Sequence, residues 1–168
     1  MMFRNSSFNS TLGASLGFLA LGLGLGASET LKAEALPDAC GMLTQAQVSA
    51  ALGIPVDAGV RPIAADPRVC NWRESNKPNG PGRNVMLTFI SAKQFDNLKQ
   101  LPLSTAASGV GDEAIVTRAM RMPTILTVKA GTHYFRILVR SDLAATAEVD
   151  ERNQSIEKSL GAKIVSKL

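Results

Sequence analysis

The chain has 168 residues, with 18 Lys and Arg against 14 Asp and Glu, a net charge of +4, one His and two Cys. With 45% hydrophobic and 19% charged residues it has the makeup of a folded chain, which excludes an intrinsically disordered one. One imidazole and two thiols exclude a four-ligand His/Cys zinc site, an iron–sulfur cluster and a haem pair. No Walker A loop is present.

Residues 1–35 read as a secretory leader. Arg4 supplies a basic start, and Leu12 to Ala27 carry no charge and are rich in Leu, Gly and Ala. That run is shorter than the ~20 apolar residues of a membrane span. Ala33-Glu34-Ala35 is an A-x-A-like cleavage site before Leu36, and a second cut after Ala27 remains open. Pro37 and Asp38 ahead of Cys40 do not fit a lipobox. Residues 36–168 are then expected to form one exported domain, periplasmic or secreted, with no stable membrane span once the leader is removed. Its charge, still +4 and spread along the chain, is not a nucleic-acid signature.

Cys40 and Cys70 both fall in the exported part, where an even pair is most simply one disulfide. Closing that loop contributes about 3.5 kcal/mol on the chain-entropy model. A redox-active pair would need a C-x-x-C, which is absent. From Leu43 to Gly53 the sequence predicts a short helix. Thr44 and Gln47 form a capping box, Val48, Ala51 and Leu52 share a face, and Gly53 and Pro55 end it. Residues 54–67, with three prolines and no period, read as an irregular connection.

Val69–Arg73 alternates and places Cys70 beside Trp72 on one strand face. The turn formers of 76–82 lead into Asn84–Ser91, with Val85, Leu87 and Phe89 on one face, so the two strands make a hairpin. Ser91 and Gln94 form a second capping box, opening a helix with Phe95 and Leu98 inward that stops before Pro102. Residues 102–111 read as a loop, and Ile115–Arg118 as a short strand.

Residues 124–130 and 132–140 form a hairpin turning at Ala130-Gly131. From Leu143 onward Val149, Ile156, Leu160 and Ile164 recur near helical spacing, with Gly161 a candidate interruption. The whole predicts an α+β fold: an antiparallel sheet of about five strands, helices packed on one face, and one disulfide.

The order Cys40-Gly41-Met42-Leu43-Thr44, then Cys70-Asn71-Trp72, then Gly109-Val110-Gly111-Asp112-Glu113-Ala114 resembles a broad set of exported bacterial single-disulfide domains of unknown function. Some of their relatives resemble the PsbP-like fold. The resemblance covers most of residues 36–168 and implies an envelope protein that binds or supports something else. It implies no established activity.

His133 has no partner at a catalytic or metal-ligand spacing and reads as structural. Gly109 to Glu113 follows a loop and precedes a strand, so its glycines serve a tight turn rather than a phosphate cradle. Asp142, Glu148, Asp150 and Glu151 complement the N-terminal half of the last helix. The candidate ligand or partner face is on the last strand. There Tyr134, Arg136 and Arg140 lie opposite Phe135, Ile137 and Val139, and Lys129 joins them from the preceding strand, with Arg118 and Arg121 nearby in sequence. Such a face suits an anionic ligand or an envelope protein. The expected function is therefore a non-enzymatic binding or accessory module, with no cofactor and no nucleic-acid partner. A small periplasmic enzyme with a concealed site and a subunit of an envelope complex are the alternatives.

Overall fold

The computed structural model describes residues 37–77, 82–118, 122–141 and 146–168. The expected leader and both of its cut sites lie outside the described residues, as do Arg121 and Asp142. Among the described residues the fold is α+β, a single antiparallel sheet with four helices. The sheet has six strands, β1 (Val69–Arg73), β2 (Asn84–Ile90), β3 (Ser104–Ala107), β4 (Glu113–Thr117), β5 (Ile125–Ala130) and β6 (His133–Arg140), in the order β1-β2-β6-β5-β4-β3.

Asp38 caps the short helix α1 (Ala39–Met42), accepting a hydrogen bond from the Cys40 amide and pairing with Arg61 at 2.7 Å. Helix α2 (Gln45–Leu52) opens with the capping box expected of Thr44 and Gln47, and ends at Gly53 in the left-handed region, φ 67°. Strand β1 (Val69–Arg73) buries Cys70 and Trp72, as its alternation requires. The disulfide Cys40–Cys70 is formed and fastens α1 to β1; no free cysteine remains. Residues 54–67 have little regular structure, yet Val56 and Val60 bridge to Glu74 and Asn71 and so cover the β1 edge.

Strand β2 (Asn84–Ile90) pairs with β1 and buries Val85, Leu87 and Phe89. The Ser91–Gln94 capping box then starts helix α3 (Ala92–Lys99), with Phe95 buried. Strand β3 (Ser104–Ala107) lies inside the stretch expected to be a loop and accounts for the sixth strand. Ser-Thr-Ala-Ala carries no apolar alternation; pairing with strand β4 (Glu113–Thr117) makes it a strand.

Strands β5 (Ile125–Ala130) and β6 (His133–Arg140) form the expected hairpin, but it turns at Gly131-Thr132 rather than Ala130-Gly131, because Ala130 pairs with His133. Its two-residue loop puts Gly131 first with φ 56°, as a type II′ turn requires, and the Gly131 amide donates to Asp112 Oδ2 at 2.7 Å. Asp112 therefore ties the turn that follows the paired glycines to the far hairpin.

Helix α4 (Ala147–Val165) is capped by Thr146 and runs through Gly161 without interruption. A side chain there would crowd Val110, so Gly161 permits close packing rather than ending the helix. The Lys167 ammonium donates to the Met42 carbonyl at 2.7 Å, joining the ends of α4 and α1.

One sheet face holds the core: Trp72, Leu87, Leu126, Phe135 and Ile137 pack with Val48 of α2 and Leu160 and Ile164 of α4. Here the helices depart from a one-face arrangement. α3 meets the other face, its Phe95 ring 5.4 Å from that of Tyr134 and its Lys99 paired with Glu113. The reason is topological. β2 and β3 are separated by β6, β5 and β4, so the chain must cross the sheet, and α3 is that crossing.

Candidate functional site

The register places Lys129, Tyr134, Arg136 and Arg140 on one sheet face, as alternation demands, but it does not gather them. Lys129 lies directly across from Tyr134, and Arg136 lies between Thr88 and Thr127. Arg140 pairs across from Asn84, six residues beyond Tyr134 and about 20 Å away at the usual strand rise.

The Tyr134 end is occupied by α3, whose Phe95 carries the Lys99 ammonium 5.7 Å above its ring. Arg136 is half-buried there, its Nε without a partner, and burial pulls its pKa below the ordinary guanidinium value. Thr127 is fully buried beside it with an unpartnered hydroxyl. Arg118 turns elsewhere, to Asp150 Oδ2 at 2.9 Å. Asp150 lies near the N-terminus of the last helix, as expected, and is buried as well as paired.

Arg140 belongs to a different group. The end of β6, the residue ahead of β2, and the facing sides of α2 and α4 enclose a cavity of about 260 Å³. Arg83, Arg140 and Arg152 line it from three separate parts of the chain, while Ala51, Leu52 and Ile156 supply apolar wall. Arg83 is partly satisfied by Glu74, which accepts its backbone N–H at 3.1 Å and lies 3.6 Å from its Nε. Arg140 and Arg152 are exposed and pair with no carboxylate among the described residues. A second, smaller cavity of about 60 Å³ shares Arg83 and Arg140 and adds Arg73 and Lys77, with Glu74 as its one carboxylate among the described residues. Positive charge is thus concentrated on both sides of the Arg83–Arg140 wall.

Behind the arginines, α4 presents a polar seam. Asp150, Asn153 and Glu157, spaced by three and four residues, share the helix face that packs on the sheet, and all three are buried. Asn153 lines the larger cavity, and its Oδ1 has no partner. One turn on, Glu157 Oε1 accepts from the Val139 amide at 3.2 Å, and the Leu126 amide also serves this carboxylate. Burial, reinforced by the nearby Asp150 charge, pushes the Glu157 carboxyl up to about 8 despite those two amides. Its Oε2, like Asp150 Oδ1, has no hydrogen-bond partner.

His133 is half-buried at the opposite end of the sheet, beside the β5–β6 turn, where a shallow depression also includes Asp112. The Asp112 carboxylate is already engaged by the turn. Among the described residues no three His, Cys, Asp or Glu side chains gather as a metal site would require. Among them, too, no helix is long and apolar enough to cross a membrane.

Of the expected ligand face of Lys129, Tyr134, Arg136 and Arg140, only Arg140 reaches the cavity. Arg83, Arg152 and Asn153 were missed. Asn153 did carry a signal: it falls four residues after Val149 and seven before Leu160, a polar residue on an apolar stripe. Arg83 and Arg152 carried none, because only the tertiary fold brings them to Arg140. Comparison with protein-family models, with curated proteins and with solved structures finds no match for this chain.

Proposed function

We propose that this chain is an exported, non-catalytic binding module for a small anionic ligand, and that the arginine-lined cavity is its site. The carrying observation is the convergence of Arg83, Arg140 and Arg152 on a cavity with apolar wall, two of them without a carboxylate partner among the described residues. Guanidinium groups grip carboxylates and phosphates through paired hydrogen bonds, and apolar wall beside them favours a ligand with both characters. The disulfide supports export, because such bridges persist in oxidising compartments. The Lys129–Tyr134–Arg136 end of the sheet face is the weaker site, since α3 already occupies part of it.

The test uses 4-methylpentanoate as a probe, followed by NMR titration of the intact protein. Arg140→Ala combined with Arg152→Ala is expected to weaken binding about tenfold or more. Lys129→Ala combined with Arg136→Ala is expected to leave it within about twofold, because neither residue lines the cavity. The reverse pattern would move the site to the sheet face.

A further inference from the structure

The class of anion follows from what the cavity lacks as well as from what it holds, given that the arginine-lined cavity is the ligand site. At about 260 Å³ it lies just below the usual range for drug-sized ligands, so it takes a small molecule or one end of a larger one. Among the described residues its charged lining is entirely guanidinium, and no carboxylate stands in its wall. A free ammonium group on the ligand would therefore meet only like charge.

Yet the wall also contains an acceptor that needs a donor. Asn153 is 2% exposed, and its Oδ1 has no hydrogen-bond partner. A buried acceptor left without a donor is costly, and a ligand that supplies one removes that cost. The donor must be neutral, for the reason just given. A third feature is the apolar wall of Ala51, Leu52, Val139 and Ile156, which suits a branched aliphatic group.

Carboxylate, neutral N–H and aliphatic branch occur together on one carbon in an N-acylated apolar amino acid. We infer that the cavity binds the carboxylate end of such a group, with the carboxylate on Arg140 and Arg152, the amide N–H on Asn153 Oδ1, and the side chain against Leu52 and Ile156. Two sources present this chemistry: the last residue of a peptide, and a free acyl amino acid.

Calorimetric titration of the intact protein separates the cases. N-acetyl-leucine is expected to bind, and 4-methylpentanoate, which keeps the acid and the branch but lacks the N–H, to bind about tenfold more weakly. Leucine, with its ammonium, and Ala-Ala-Leu amide, without the carboxylate, are expected not to bind. Asn153→Ala is expected to weaken N-acetyl-leucine about tenfold and to leave 4-methylpentanoate unchanged, which also shows that the cavity still folds. Ala-Ala-Leu binding more tightly than N-acetyl-leucine identifies a peptide terminus, and equal binding a free acyl amino acid. If 4-methylpentanoate matches N-acetyl-leucine, or leucine binds as well as either, the ligand class is wrong while the arginine cavity stands. If no acid binds, both readings fall.

Discussion

A single methyl group is more than the space at Gly59 allows. A Cβ built there would stand 2.6 Å from Trp72 Nε1 and 2.7 Å from Cys70 Sγ, inside contact distance of two fully buried side chains. The indole and the disulfide are held by β1, so the irregular segment carrying Gly59 would have to lift away. Gly59→Ala is expected to cost about 1–3 kcal/mol in urea denaturation, the range for overpacking. Gly41→Ala is the comparison: nothing lies near its Cβ position, and no loss is expected. Cys70 and Trp72 were legible as neighbours from strand alternation alone. Gly59 was not, because a stretch without a period says nothing about which of its residues meets the core.

At the scale of elements, both capping boxes were legible because a cap is a local transaction within four residues. The seam on α4 was only half legible. Glu157 occupies a core position on the helix stripe, and its depth is set by the sheet beneath it. The consequence is a pH dependence with a definite sign. Between the ordinary carboxyl value and about 8 the folded state holds a proton that the unfolded chain has released. Stability from this group is therefore complete at low pH and is lost as pH rises through about 8. Asp66, held down to about 2 by Arg68, and Asp38 and Glu74, also lowered, act in the opposite direction but only in the more acid range.

Urea midpoints are thus expected to rise as the pH falls from 8.5 to 5.5. Glu157→Gln should remove most of that slope and make the variant the more stable protein at pH 8.5. Parallel curves for the two proteins would show that Glu157 does not carry the effect.

For the molecule as a whole, the sheet order determines where it is firm. β6 and β2 lie inside the sheet with the core against them, whereas β3 is a four-residue edge paired on one side only. Hydrogen exchange is expected to be slowest at central amides such as Leu87 and Ile137, and to reach Ser104–Ala107 first among the strands. Equal protection of β3 and β6 would contradict that order. β3 escaped sequence reading because its small residues take strand geometry only from β4. The crossing by α3, which corrects the expectation that helices cover one face, follows from the same strand order.

By itself the sequence determined what depends on near neighbours: the two capped helices, the alternating strands, the β5–β6 turn and the pairing of its only two cysteines. Each rests on contacts a few residues apart, or on having no alternative partner. Tertiary structure alone decided the sixth strand, the side on which α3 lies, and the burial of Asp150, Asn153 and Glu157. It also split the face expected from Lys129 to Arg140, leaving Tyr134 under α3 and delivering Arg140 to Arg83 and Arg152. Alternation specifies which way a side chain points, but not what the rest of the chain brings to meet it.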